Sequence, residues 1–312
     1  MPGPPARHRD ISALRDLPLF TSREAREARL SGHDLAILAR RQLVVRIARG
    51  WYSCRVDASE EELHVLRTVA NLRLLGGSAV ASGMSAALVH GLPLARCDLS
   101  TVEIATEGVG HGRTRQGVRV SEHATKGAQR LAVHVPLVGT SVPVVDPASA
   151  IVGTALSGAT SAALVAADHA VRHEVCTSEQ IHQALAARHG FRGIARARTA
   201  LDIVDGKHES PGETLTAMIL REGPWDFEPQ LPVSARGRNF RLDFALREHK
   251  VAIEFDGEGK YTGPEVMEDQ LARQAALEAE GWVFVRLGWA DLDDPSTLLR
   301  RIADAVAIAD AR

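Results

Sequence analysis

The sequence predicts a mixed α/β chain, α+β in class and built of several domains, and three observations carry that prediction. The chain has 312 residues, enough for two or three domains. Near the N-terminus helical spacing gives way to period-two alternation, the order of helices followed by a hairpin. Near the C-terminus an alternating apolar stretch, "LDFALREHKVAIEFDGEGKY" (242–261), lies between two helical patterns.

Composition narrows the class. With 45% hydrophobic and 24% charged residues the chain is an ordinary globular one able to bury a core. A formal net charge of −2 excludes a uniformly basic nucleic-acid coat, so any nucleic-acid surface has to be a local concentration of charge. Cys54, Cys97 and Cys176 are widely spaced and odd in number, which fits free thiols in a reducing cytosol, and no CxxC spacing suggests zinc. "MPGPPARHRD" lacks the apolar core of a secretory signal. The charge-free run 147–167 is long enough to span a bilayer, but it carries Gly153, Ser157, Gly158, Thr160 and Ser161 and is read as buried helix and loop. The expectation is a soluble cytoplasmic protein with no membrane partner.

Residues 1–56 form the first expected domain. Thr21 and Glu24 have the spacing of a capping box, and "TSREAREARL" continues as a short helix. Ser31 and Gly32 interrupt it, and "HDLAILARRQ" starts again with Leu35, Leu38 and Ala39 at helical spacing. "LVVRIARGWYS" then alternates, with Arg49 and Gly50 as the turn. Helix, turn, helix, hairpin is the order of a winged helix-turn-helix, which would bring Arg40, Arg41, Arg46 and Arg49 to phosphates or base edges of DNA. Eleven arginines against five acids in 1–56 supply the local positive charge. Residues 11–52, ending in "IARGWY", resemble the winged-helix domain of AbiEi-type antitoxins from type IV toxin-antitoxin systems, and "SGMSAALVHGLPL" (82–94) resembles the segment that follows there. That resemblance implies DNA binding, transcriptional regulation and a cognate toxin protein as partner.

Residues 57–205 read as a mixed α/β connector. A helix runs from Glu60 to about Leu75, and a small-residue helix follows around Met84 to Val89. Alternating runs occur at "TVEIAT", "GVRVSEH" and "LAVHVPLV", before three helical patterns in "AALVAADHAVRHE", "SEQIHQALAARHG" and "IARARTALDIVDG". His169 and His173 share a helical face, but no Glu completes an H-E-x-x-H arrangement, and His182 and His189 add no ligand spacing. No Gly-rich phosphate loop and no G-x-S-x-G is present.

Residues 206–312 form the last expected domain. Ser210 caps a helix with Pro211 at its first position and Glu213 three residues after the cap. Counting outward from the turn Arg247–Glu248–His249–Lys250 sets Leu246 against Val251, Phe244 against Ile253 and Leu242 against Phe255 on one apolar face. Asp243 then opposes Glu254 on the other face, with Arg241 beside Asp256. Opposed carboxylates about 5 Å apart at Cβ destabilise a sheet, so a cation is required beside them. Pro264 starts a helix carrying Asp269, Arg273 and Leu277 at four-residue intervals, ended by Gly281. "WVFVRLGWADL" is a further strand, and Asp294 with Pro295 caps a final amphipathic helix.

Carboxylates gathered at a sheet edge can hold Mg²⁺ or Mn²⁺ through oxygen, the layout metal-assisted phosphodiester hydrolysis uses. "RLDFALREHKVAIEFDGEGKY", Asp269, Arg273, Leu277 and "GWVFVRL" resemble the PD-(D/E)XK nuclease superfamily, in the branch related to very-short-patch-repair endonucleases. The resemblance implies a restriction-endonuclease-like α/β/α domain and a metal-dependent DNA endonuclease activity. It assigns Asp243 as the first metal carboxylate, Glu254 as the acidic residue of the E-x-K element, Glu213 as the helix glutamate and Arg273 as the basic residue of the following helix. Asp256 stands where that pattern has lysine. Either Lys260 returns an ammonium to the site or Asp256 is a third ligand. The competing expectation is an AbiEi-like antitoxin and regulator with a catalytically inactive nuclease fold.

Overall fold

The computed structural model describes residues 11–106, 113–115, 117–121, 125–257 and 264–312. They build a mixed α/β, multi-sheet chain that separates into two compact units, Met1–Ala163 with Ser178–Leu201, and Leu164–Thr177 with Asp202–Arg312.

The first unit opens with α1 (Ser12–Arg15), β1 (Phe20–Thr21), α2 (Ser22–Glu27), α3 (Gly32–Arg40), β2 (Val45–Ala48) and β3 (Trp51–Ser53), the strands ordered β1-β3-β2. The capping box read from Thr21 and Glu24 forms: the Thr21 hydroxyl accepts from the Glu24 N–H and the Glu24 carboxylate accepts from the Thr21 N–H. Ser31 does more than interrupt, because with Asp34 it makes a second capping box that starts α3. Leu19 and Ile47 pack into the same apolar cluster as Val65, Leu66 and Val69 of α4 (Glu60–Leu75). Removing residues 1–56 would therefore strip one wall from that cluster.

A six-stranded sheet ordered β6-β7-β5-β4-β9-β8 fills the rest of the unit. The three alternating runs are β5 (Val102–Ala105), β7 (Val118–Ser121) and β8 (Arg130–Val135). Alternation did not mark β4 (Val80–Ala81), β6 (Arg113–Arg115) or β9 (Thr140–Val145). The first two are only two and three residues long, too short for a periodic signal. The small-residue helix is α5 (Gly83–Val89). The run 147–167 becomes α6 (Pro147–Ser157) and the start of α7 (Thr160–Arg172), broken at Gly158, whose φ of 109° suits only glycine. Among the described residues no helix is long and apolar enough to cross a membrane. The unit closes with α8 (Ser178–Ala187) and α9 (Ile194–Leu201).

The second unit takes 164–172 of α7 with the loop to Thr177, and then runs α10 (Pro211–Leu220), β10 (Glu228–Ala235), β11 (Arg238–Leu246), β12 (Val251–Phe255), α11 (Pro264–Ala279), β13 (Val283–Leu287) and α12 (Pro295–Asp310). The sheet order is β10-β11-β12-β13, antiparallel except that β13 runs parallel to β12. Next to the turn the hairpin register is the one counted: Leu246 pairs with Val251, Ala245 with Ala252 and Phe244 with Ile253; the ladder ends there, so the counted pairs Asp243–Glu254 and Leu242–Phe255 do not form, and Leu242 packs with Ala245 and Ala252 instead of sharing the face of Phe244. Strand β10 escapes sequence reading because Pro229 and Pro232 argue against a strand, yet β10 lies at the sheet edge, where a missing N–H is tolerated. Both faces of the sheet are buried: Ala245 and Ala252 cluster with Ala276 and Leu277 of α11, while α10 and α12 pack on β12 from the helix layer that contains them.

Candidate functional site

The N-terminus of α10 sets the first carboxylate. Ser210 caps the helix by accepting from the Glu213 N–H, and in return its hydroxyl donates to Glu213 Oε1 at 2.9 Å. Glu213 Oε2 accepts from the Glu209 N–H and from Gln230 Nε2, both at 2.8 Å. The side chain is buried; burial raises its pKa above the usual glutamate range, the charge of Asp243 raises it further, and the donated hydrogen bonds oppose both. Gly212 lets this helix end approach the sheet, since a Cβ there would lie 2.0 Å from the Phe255 ring.

On the hairpin, Asp243 Oδ2 accepts from the Phe255 N–H at 3.0 Å, across the strand pair. Glu254, 3% exposed, receives a two-toothed guanidinium from Arg273 of α11, one tooth at 3.0 Å to Oε2 and the other to Oε1. Arg273 also donates to the Arg241 carbonyl at 2.8 Å. Arg286 of β13, directly paired with Glu254 in the parallel ladder, donates to Asp256 at 2.9 Å and stands 3.8 Å from Glu254. Glu254 is thus met by two arginines.

Arg241 does not sit with Asp256, contrary to the count along the hairpin. It pairs with Glu209 at 2.6 Å, because Asp256 is already taken by Arg286 and Glu209 projects from the loop before α10. Glu209 is also held by Arg172 of α7. The same helix supplies Asp168, 1% exposed, which accepts from Thr214 Oγ1 and the Asp205 N–H at 2.8 Å and from His208 Nδ1 at 2.6 Å. This support for the loop 205–209 lies some forty residues upstream in sequence. No local pattern in "AALVAADHAVRHE" marks it; only an Asp on an otherwise apolar helical face hints at a buried partner.

Arg273 thus meets Glu254, Arg286 links Glu254 to Asp256, and Asp243 lies close enough to Glu213 to raise its pKa, with Arg286, Gln230 and Asp168 as neighbours that no sequence pattern pointed to. Lys260 lies outside the described residues. Asp269 is solvent-exposed on α11. Arg40, Arg41, Arg46 and Arg49 are all exposed, at the end of α3, on β2 and in the turn that follows it. His169 and His173 stack with ring centroids 4.2 Å apart.

The donor set has the hard-oxygen chemistry that suits Mg²⁺ or Mn²⁺. Its arrangement does not fit such an ion. Among the described residues no three His, Cys, Asp or Glu side chains converge as a cation cage. Both oxygens of Glu254 face Arg273, and both oxygens of Glu213 accept hydrogen bonds from the protein.

No family model matches the chain. Two proteins of Mycobacterium tuberculosis, uncharacterized protein MT2308 of strain CDC 1551 / Oshkosh and uncharacterized protein Rv2248 of strain ATCC 25618 / H37Rv, are similar to it. Each is 29% identical over 274 residues, covering 85% of this chain and 96% of theirs. An alignment of that length cannot be contained in either compact unit, so the likeness takes in parts of both.

Proposed function

We propose that this is a DNA-binding protein whose second unit is a nuclease-type domain acting on the phosphodiester backbone. The observation that carries the reading is the approach of Glu213 to Asp243, close enough for one charge to raise the pKa of the other, beside a sheet whose order, helix, three-stranded meander, helix and parallel strand, is the order the resemblance implies. Arg241, whose side chain is 55% exposed, is at the rim where a phosphate would arrive. Glu213, with its raised pKa, is the carboxyl best suited to hold a proton there. In the first unit, the exposed arginines of α3 and the hairpin suit contact with duplex phosphates.

Purified protein incubated with plasmid and with single-stranded DNA, with Mg²⁺ and with Mn²⁺, should nick or cut, and Glu254→Ala should abolish the cutting. No turnover by the wild type would overturn the hydrolytic reading. One observation favours a second reading, an AbiEi-like regulator with an inactive nuclease fold and a cognate toxin: Glu254 is engaged by Arg273 and Asp256 replaces the usual lysine. That reading requires mobility shifts without cleavage. Both require that Arg40, Arg41, Arg46 and Arg49 changed together to Gln flatten the log–log salt dependence of duplex binding, by about one unit for each phosphate that is no longer neutralised.

A further inference from the structure

A cavity of about 190 Å³ lies in the first unit, walled by β5, β7, α5, α6 and the turn that follows α8. One side of it is apolar, formed by Ile104, Leu156 and Phe191, and the other carries Ser82, Arg119 and Arg188. Glu103 holds Arg119 at this wall. Its carboxylate is buried and both oxygens are engaged from within, Oε2 by the Met84 N–H at 2.8 Å and Oε1 by Arg119 Nη1 at 2.9 Å. Gly83 makes room for that carboxylate, since a Cβ there would lie 2.0 Å from Glu103 Oε2. Arg119 spends a single N–H on the pair and is 45% exposed at its side chain, so the rest of the guanidinium is open to a ligand. Ser82 is 3% exposed at the N-cap position of α5, yet its hydroxyl makes no capping bond and has no hydrogen-bond partner among the described residues. A buried hydroxyl in that state costs free energy until something meets it. Arg188, 1% exposed and donating to the Ala184 carbonyl at 3.0 Å, brings a second guanidinium to the same wall. Burial lowers its pKa against the pull of Asp146, so negative charge added in the cavity would favour its charged form. Lys126 Nζ, 5.4 Å from the centre of the Phe191 ring, adds positive charge on the apolar side. An inorganic oxoanion would leave that side uncovered, whereas a carboxylate with an apolar body covers both, and its two oxygens suit a guanidinium fork.

We propose that this cavity binds a small organic carboxylate: the charged head meets Arg119, Arg188 and the Ser82 hydroxyl, and the apolar body lies against Ile104, Leu156 and Phe191. The assignment does not rest on the nuclease reading, because every group in it belongs to the first unit.

The test is titration calorimetry of full-length protein with benzoate, phenylacetate and isobutyrate, each matched by its neutral amide, and with inorganic phosphate. At least one of the acids should bind, about tenfold or more tighter than its amide, because the charged head is what the arginines read. Arg119→Gln should weaken that acid by about tenfold, and Ser82→Ala by a smaller factor, since it deletes one neutral hydrogen bond. Ser82→Ala removes no protein contact of the hydroxyl and so carries the test if Arg119→Gln does not fold. Binding by none of the three acids, equal binding of acid and amide, or an acid affinity indifferent to the substitutions would overturn the site. Phosphate bound as tightly as the best acid would overturn the organic carboxylate in favour of a plain oxoanion.

Discussion

Asp168 belongs by sequence to the helical middle of the chain and by contact to the C-terminal unit, and its removal tests that placement. The carboxylate is 1% exposed and accepts from His208 Nδ1 at 2.6 Å and from Thr214 Oγ1 and the Asp205 N–H at 2.8 Å. Asp168→Ala leaves three donors facing a void, two of them on side chains that are themselves buried. An unsatisfied buried donor costs about 1–3 kcal/mol. With the two buried side-chain donors left unpaired, we expect a total of about 4 kcal/mol. Asp168→Asn should cost less, since its carbonyl oxygen still serves one donor and the Thr214 hydroxyl can turn to accept from the amide. Urea unfolding is the assay, followed by tryptophan fluorescence. Trp225, Trp282 and Trp289 report on the C-terminal unit and Trp51 on the other, so a Trp51→Phe background isolates the relevant transition. With a slope of about 2 kcal/mol per molar urea, the midpoint should drop by about 2 M for the Ala variant. A drop under about 0.5 M would refute the account, since it corresponds to only about 1 kcal/mol at that slope.

Gly212→Ala should destabilise the C-terminal unit by about 1–3 kcal/mol despite alanine's better helix propensity, because the new Cβ would lie 2.0 Å from the Phe255 ring; Phe255→Leu in the same chain should recover part of the loss, and a raised melting temperature for Gly212→Ala alone would show that the helix end is not so close. Burial raises the pKa of Glu103, against the pull of the Met84 N–H and Arg119, so the folded state binds this proton more tightly than the unfolded one and stability falls as pH climbs from the ordinary glutamate range through the raised value. Stability of Glu103→Gln relative to wild type should accordingly improve as pH rises over that window, and parallel stability–pH curves would sink the claim. Asp256→Lys, the residue the nuclease resemblance expects at this position, should not confer cleavage, because it removes the partner of Arg286 and places a second cation beside it; cleavage gained by the single change would contradict this.

What was legible in the sequence is what a few consecutive residues decide. The Thr21–Glu24 and Ser210–Glu213 caps formed as read, since a cap needs only spacing and residue type. Next to the turn the hairpin register followed from its four residues, because a slip by one would have turned Phe244 and Ile253 to the other face. Strand β10 was not legible, because its prolines mask it and only an edge position reconciles them with a sheet. Nor was the partnership of α7 with the loop before α10, for Asp168 and His208 are 40 residues apart in sequence. The site divides the same way: its carboxylates were found one by one on their strands and helix, whereas the pairing of each arginine was not.

That division has a physical cause. A carboxylate buried on a central strand, as Glu254 is, needs positive charge beside it, and that need is visible from sequence because the strand period is two. Which cation meets it depends on where distant elements land. Arg273 comes from α11 and takes Glu254; Arg286 comes from β13, whose parallel pairing with β12 puts it level with Glu254 and within reach of Asp256. Asp256 is thus matched to an arginine on the next strand, which it holds at 2.9 Å while the same guanidinium stands 3.8 Å from Glu254. The Asp256–Arg286 pair therefore acts as one unit, and Arg273 is left as the group that engages both oxygens of Glu254.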